Sequence, residues 1–139
     1  MIEDKNPKDI LENTQVQMRK GILEFCILHV ISRGEIYSSD IINQLEEAKI
    51  KVKEGTLYPL LTRLKNAGLL DYNWKESNAG PPQKHYQLTE KGRVFLEQLN
   101  ETWIELVEST NLVIAKTNYA TFQQISQLQL EALKVQKKL

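Results

Sequence analysis

The sequence is short of nearly everything that marks an enzyme or a membrane protein. It holds one cysteine, Cys26. A lone thiol cannot close an internal disulfide, which fits a reducing compartment. Its two histidines are His29 and His85. Neither has a cysteine or an acid at ligand spacing, so no metal site is expected. No apolar run reaches the roughly 18 residues of a membrane span. The opening Met1-Ile2-Glu3-Asp4-Lys5-Asn6-Pro7 lacks the basic-then-apolar layout of a signal peptide. The expected location is therefore the cytoplasm, with no membrane partner. Phosphate-binding glycine loops, dinucleotide fingerprints and nucleophile elbows are all missing, so neither an enzyme nor a cofactor is expected. Charge of one sign is not in surplus either, since 18 basic residues face 18 acidic ones. Any nucleic-acid binding must rest on a local patch and not on the whole chain.

What is present is helical periodicity with one interruption. The 139 residues suit one domain and an extension. Ile10, Leu11 and Val16 in "PKDILENTQVQ" suggest a short first helix. In "MRKGILEFCILHVISRG", Ile22, Leu23, Cys26, Ile27, Val30 and Ile31 form one stripe, widened by Phe25 and Leu28, so that helix is deeply buried. Cys26 then acts as a small hydrophobe and His29 fills a niche at the helix edge. "SSDIINQLEEAK" follows, with Ser38 or Ser39 as cap and Ile41, Ile42 and Leu45 as the apolar face. A third helix runs through "EGTLYPLLTRLKNAG" to Gly68. There the period changes to two. Leu70, Tyr72 and Trp74 alternate with polar residues, "ESNAGPP" is turn chemistry, and Tyr86 and Leu88 alternate again, which reads as a hairpin with Trp74 packed on it.

Thr89 caps the next helix, where Leu96, Leu99, Trp103, Leu106, Thr110 and Val113 keep a heptad seam. Register is lost through "KTNYAT" and resumes at Ile125, Leu128, Ala132, Val135 and Leu139, implying a break and a further helix. The expected fold is mainly α with a small β-hairpin. It is a winged helix-turn-helix domain over residues 1–92, followed by a long C-terminal dimerisation helix and tail over residues 93–139. Ile10, Leu11, Leu96, Leu99, Trp103, Leu106, Val107 and Val113 are the expected dimer contacts, because such a stripe is too apolar to leave in water.

The third helix opens oddly, with Gly55 and Pro59 in its first turns where better helix formers would serve packing. A helix that reads DNA explains this. Gly55 lets a sugar-phosphate backbone come close. Thr56 as N-cap places Pro59 at the third helical position, where a missing N–H costs nothing. The first-turn N–H groups then form an anion site, Tyr58 offers a hydroxyl and Arg63 a charged fork, while Leu57, Leu60, Leu61 and Leu64 hold the helix to the core. Glycine and proline are also ordinary near helix starts. Local charge favours the DNA reading. Lys49, Lys51, Lys53, Arg63 and Lys65 surround this helix against Glu54, the wing adds Lys75, Lys84 and His85, and the acids Glu97, Glu101, Glu105 and Glu108 gather on the long helix.

The segments "KGILEFCILHVI", "EGTLYPLLTRLKNAGLL", the tryptophan in "YNWKES", "GPP" and "HYQLTEKGR" together resemble the PadR-like transcriptional regulators, over Lys20 to about Leu99. The short C-terminal part is similar to the smaller subfamily, which includes multidrug-binding members. The resemblance implies a homodimeric winged-helix repressor on a palindromic operator of double-stranded DNA. On its pattern Gly55, Thr56, Tyr58 and Arg63 fall on recognition-helix positions and Lys84 and His85 on the wing; with Tyr37, Ser38 and Lys53 these are the expected DNA contacts. It further implies release by a planar lipophilic or phenolic small molecule, with Trp103 at the position of a pocket-lining aromatic at the dimer centre. Where the family usually has Tyr-Gly-Tyr-Glu, this chain has Tyr37-Ser38-Ser39-Asp40. Two alternatives stay open. Trp103 is either interface packing or a ligand platform, and a winged-helix module that binds protein in place of DNA uses the same elements.

Overall fold

In a computed structural model, residues 6–77, 79–117 and 119–138 are described, with the side chains of 119–122, 125 and 136–138 excepted. The expected seam positions Ile125 and Leu139 lie outside the described side chains and residues. The elements are α1 (Pro7–Ser32), β1 (Ile36–Tyr37), α2 (Ser38–Glu47), α3 (Glu54–Asn66), β2 (Leu70–Ser77), β3 (Gly80–Leu88), α4 (Glu90–Ala115) and α5 (Tyr119–Lys138). The chain divides into two units, Met1–Gln98 and Leu99–Leu139.

In the first unit the core is a wedge of aliphatic side chains. Ile27, Leu28 and Ile31 from α1, Ile41 and Leu45 from α2, Leu57 and Leu61 from α3, and Leu70 from β2 are almost completely buried. Each such side chain contributes roughly 1.5–3 kcal/mol on leaving water. Together they lock the three helices and the sheet into one body. The sheet has three antiparallel strands in the order β1-β3-β2. The sequence pattern shows only the hairpin, because β1 is two residues long and two residues carry no periodicity. Ile36 pairs with Tyr86 and Tyr37 with His85, so the chain entering α2 is stitched to the wing.

Three expectations are corrected. The separate N-terminal helix does not exist, since α1 is one 26-residue helix with Asn6 as N-cap. Gly21 does not break it, as a single glycine costs a helix only about 1 kcal/mol. Neither Ser38 nor Ser39 caps α2; Tyr37 occupies the cap position without a side-chain bond. Nor does Thr56 cap α3. The helix starts earlier, with Lys53 at the cap position and Pro59 inside the helix. Pro59 therefore lacks the N–H that would reach back to the Gly55 carbonyl. The loss is tolerable because Gly55 is exposed.

Other expectations hold. The Thr89 hydroxyl accepts from the Gly92 N–H at 3.0 Å and caps α4. It also donates to the Gly68 carbonyl at 2.6 Å, tying the end of α3 to the start of α4. Gly68 itself has φ +79°, a left-handed turn that suits glycine. Gly92 answers a different demand, since a Cβ there would lie 2.1 Å from the Leu69 carbonyl oxygen. In the second unit, α4 ends at Ala115 and α5 begins at Tyr119, consistent with the loss of register between them. Trp103, Ile104, Leu106, Leu112, Val113, Leu128, Leu130, Leu133 and Val135 are all exposed there. No helix among the described residues is long and apolar enough to cross a membrane.

Candidate nucleic-acid interface

The N-terminus of α2, the exposed side of α3 and the inner face of the β2–β3 wing enclose a cleft of about 450 Å³. Tyr37, Ser38, Ser39, Glu54, Tyr58, Thr62, Trp74, Pro82, Gln83, Lys84 and Tyr86 line it. Sequence order alone does not bring these residues together; the fold does. β1 delivers Tyr37 and Ser38 beside the wing. Helical spacing in α3 puts Leu57, Leu61 and Leu64 on the core side, which turns Tyr58 and Thr62 outward. Strand alternation buries Tyr86 and carries Lys84 further along the same face toward the wing tip.

Four of the expected DNA residues thus meet in one place: Tyr37, Ser38, Tyr58 and Lys84. The hydroxyls of Ser38 and Tyr58 lie 3.1 Å apart in a hydrogen bond that joins α2 to α3. Tyr58 remains 45% exposed, more than a packing residue would be. The N-termini of both helices carry no side-chain cap. Uncapped first-turn N–H groups with the positive end of the helix dipole behind them attract anions. Among the described residues, Glu54 is the one acid lining the cleft.

Gly55 is exposed, helical and has nothing within 4 Å of where a Cβ would stand. Its lack of a side chain therefore serves no contact inside this chain. Thr56 and Lys53 flank it at the exposed start of α3. Lys49, Lys51 and Lys65 are exposed as well.

Other expected residues are differently engaged. Arg63 forms an ion pair with Glu24 of α1, its side chain still 66% exposed. His85 packs edge-on against Tyr37, ring centroids 3.4 Å apart. Its Nε2 is buried and has no hydrogen-bond partner among the described residues. Lys75 is bound to Glu35, which also accepts from Asn73 at 3.4 Å, so the wing is tethered to the turn before β1. The Lys75 bond first, then the Asn73 bond, holds the Glu35 carboxyl below the usual carboxylate range. Burial, with Tyr58 and Tyr72 adding, pushes the Tyr86 hydroxyl up. Burial likewise pushes the half-buried Cys26 thiol up, which makes it a poor nucleophile. Among the described residues no group of side chains could hold a metal ion.

Trp74 does not pack into the wing as expected; it is 62% exposed. Its ring stands edge-on to Tyr72, and the ammonium of Lys84 lies over both rings, 4.4 Å from Tyr72 and 5.3 Å from Trp74. The sequence signal for this cluster is the alternation of Tyr72 and Trp74 opposite Tyr86 and Lys84, legible once the hairpin register is known.

Comparison with known proteins agrees with this architecture. The Transcriptional regulator PadR-like family matches residues 27–98, from the last turns of α1 through the wing into α4. A PadR-like transcription factor from Bacteroides fragilis is similar in structure, with 54% identity, TM-score 0.63, and coverage of 73% of this chain and 98% of that one. A PadR family regulator from Eggerthella lenta superposes with TM-score 0.73 at 28% identity, covering 80% and 96%. A PadR-like regulator from Bacillus cereus gives TM-score 0.63 at 35% identity over 70% and 96%. Fold, cleft and family match converge: this chain belongs to the PadR-like family of transcriptional regulators.

Proposed function

We propose that the protein is a homodimeric repressor that holds a palindromic DNA operator in the cleft between α2, α3 and the wing. Residues 1–92 serve as the DNA-binding domain and residues 93–139 as the dimerisation helix and tail. The observation that carries the reading is the convergence of two uncapped helix N-termini, the Ser38–Tyr58 hydroxyl pair and Lys84 on one cleft. All of these are donors suited to phosphate oxygens. Gly55, Thr56 and Lys53 at the start of α3 admit the backbone closely, and Arg63 exchanges its Glu24 partner for a phosphate. Tyr37 lines the cleft and is held from behind by its ring contact with His85. A regulator of this kind acts in the cytoplasm, where its operator is.

Dimerisation rests on the exposed apolar stripe of α4. Trp103, Leu106 and Val113 are exposed and Leu99 is half-buried on one heptad seam, with the half-buried Val107 beside it. Leu96 continues the seam inward. Ile10 and Leu11, also exposed on α1, bury against the second copy. Two copies in this arrangement present two α3 helices to successive half-sites. Where the two α4 helices cross, the paired Trp103 rings offer apolar faces to a planar lipophilic or phenolic effector. Such a molecule releases DNA only by favouring a dimer whose wings no longer match the half-site spacing.

The test is selection of duplexes from a random-sequence library by the purified protein. Enrichment of a palindrome is the expected result. On that duplex Arg63→Ala and Lys84→Ala should weaken binding and flatten its salt dependence, and Tyr58→Phe should weaken binding without altering the fold. Parent-like binding by all three variants would remove the cleft from the interface.

A further inference from the structure

We infer that Tyr72 and Trp74 are positioning residues for Lys84, an aromatic clamp that holds the wing's phosphate-binding ammonium in the DNA cleft. The inference rests on the DNA-binding reading above.

A lysine side chain ordinarily samples many rotamers, and fixing one of them costs conformational freedom. Lys84 is not left to do this. Trp74 stands directly across the hairpin from Lys84, and Tyr72 from Tyr86. On one face of a sheet, cross-strand neighbours and their diagonals are within reach of long side chains. The Lys84 ammonium accordingly lies over the Tyr72 ring at 4.4 Å and the Trp74 ring at 5.3 Å. Both distances fall inside the cation–π range of about 6 Å. The rings brace one another edge-on, with centroids 6.1 Å apart. Tyr72 is also held by Lys65 of α3, whose ammonium lies 5.2 Å from its centroid, and by the buried Tyr86 ring.

The chemistry of the clamp argues against a packing role. Trp74 is largely exposed, so its burial contributes little to the fold. A carboxylate would also hold a lysine, but it would neutralise the charge. Lys75, the next residue on β2 and on the opposite face, is held that way by Glu35. An aromatic face orients the ammonium and leaves its charge and its N–H donors free for a phosphate oxygen. The two lysines thus divide the work: Lys75 tethers the wing and Lys84 is presented to the cleft.

The experiment is a double-mutant cycle on binding to a mixed-sequence duplex, measured across a range of salt concentrations. Phosphate contacts do not depend on sequence, so this probe reports them directly. Trp74→Ala should weaken binding about two- to fivefold, the size of an exposed cation–π interaction, and should lower the salt slope by less than Lys84→Ala does. In a Lys84→Ala background, Trp74→Ala should change nothing further, and Trp74→Phe in the parent should keep most of the affinity that Trp74→Ala loses. Circular dichroism should show every variant folded. An equal effect of Trp74→Ala with and without Lys84, or no effect in the parent, would overturn the clamp while leaving the DNA-binding reading standing. Failure of that reading looks different: the parent would not bind the duplex at all, or Lys84→Ala would bind like the parent.

Discussion

Replacing Gly92 by alanine tests the joint that fixes the wing and α4 against α3. The Cβ of such an alanine would stand 2.1 Å from the Leu69 carbonyl oxygen, far inside the 3.4 Å of ordinary contact. The obstacle is backbone, so it cannot swing away as a side-chain end would. That same carbonyl accepts the Thr89 N–H at 3.1 Å. Moving it also strains the bonds of the Thr89 hydroxyl to the Gly68 carbonyl and from the Gly92 N–H. Forced overpacking costs typically 1–3 kcal/mol, and an unsatisfied part-buried backbone group adds roughly 1–3 kcal/mol. Alanine returns about 1 kcal/mol of helix propensity. The net loss expected is about 1–5 kcal/mol. For a domain of this size that lowers the thermal midpoint by roughly 4–20 °C. Chemical denaturation of Gly92→Ala beside the parent, with the slope held equal, gives the number directly. A variant as stable as the parent would refute the reasoning, because α4 could not then approach Leu69 as closely as it does.

Gly55→Ala should behave in the opposite way: with open space around it, alanine should stabilise the fold by up to about 1 kcal/mol, yet weaken DNA binding by keeping the backbone away; parallel melting and binding curves check both signs. Leu106→Asp should convert the proposed dimer to monomer in sedimentation at micromolar concentration, since it sets a charge in an apolar seam. Glu35 has its carboxyl pKa lowered by Lys75 and Asn73, so its contribution to wing stability is full above the ordinary carboxylate pKa and is lost as pH falls through the lowered folded value. Glu35→Gln should therefore flatten the acid limb of the stability-against-pH curve, and an unchanged limb would show that the tether does not hold in solution.

Much of the fold was legible because burial here follows period. Leu23, Ile27, Val30 and Ile31 in α1 and Leu57, Leu61 and Leu64 in α3 repeat at helical spacing and are buried. Leu70 and Leu88 at the base of the hairpin also meet across the strands, as alternation implies. What escaped was whatever period does not record. β1 exists only because Ile36 and Tyr37 find β3, a non-local event. The start of α3 moved because Pro59 is tolerated where Gly55 leaves its carbonyl open to solvent. The candidate site was half legible. Tyr58 on an exposed position and Lys84 on a half-buried one carry recognisable chemistry. The partners that tune them, Ser38 for Tyr58 and Tyr72 with Trp74 for Lys84, are set by the α2–α3 packing and the hairpin register. Glu24 holding Arg63 and Glu35 holding Lys75 escaped for the same reason: acids far apart in sequence from their bases leave no local signature.

The central claim is that the cleft between α2, α3 and the wing binds DNA through its phosphates. The most direct measurement is the affinity of the intact protein for a mixed-sequence duplex as salt is raised. Each neutralised phosphate should contribute about 0.9 to the downward slope of log affinity against log salt. The account predicts a straight, steep decline for the parent and a slope shallower by about that much per bound cleft after Lys84→Ala. Absence of binding at low salt, or an affinity indifferent to salt, would contradict it and favour a winged-helix module that engages protein instead.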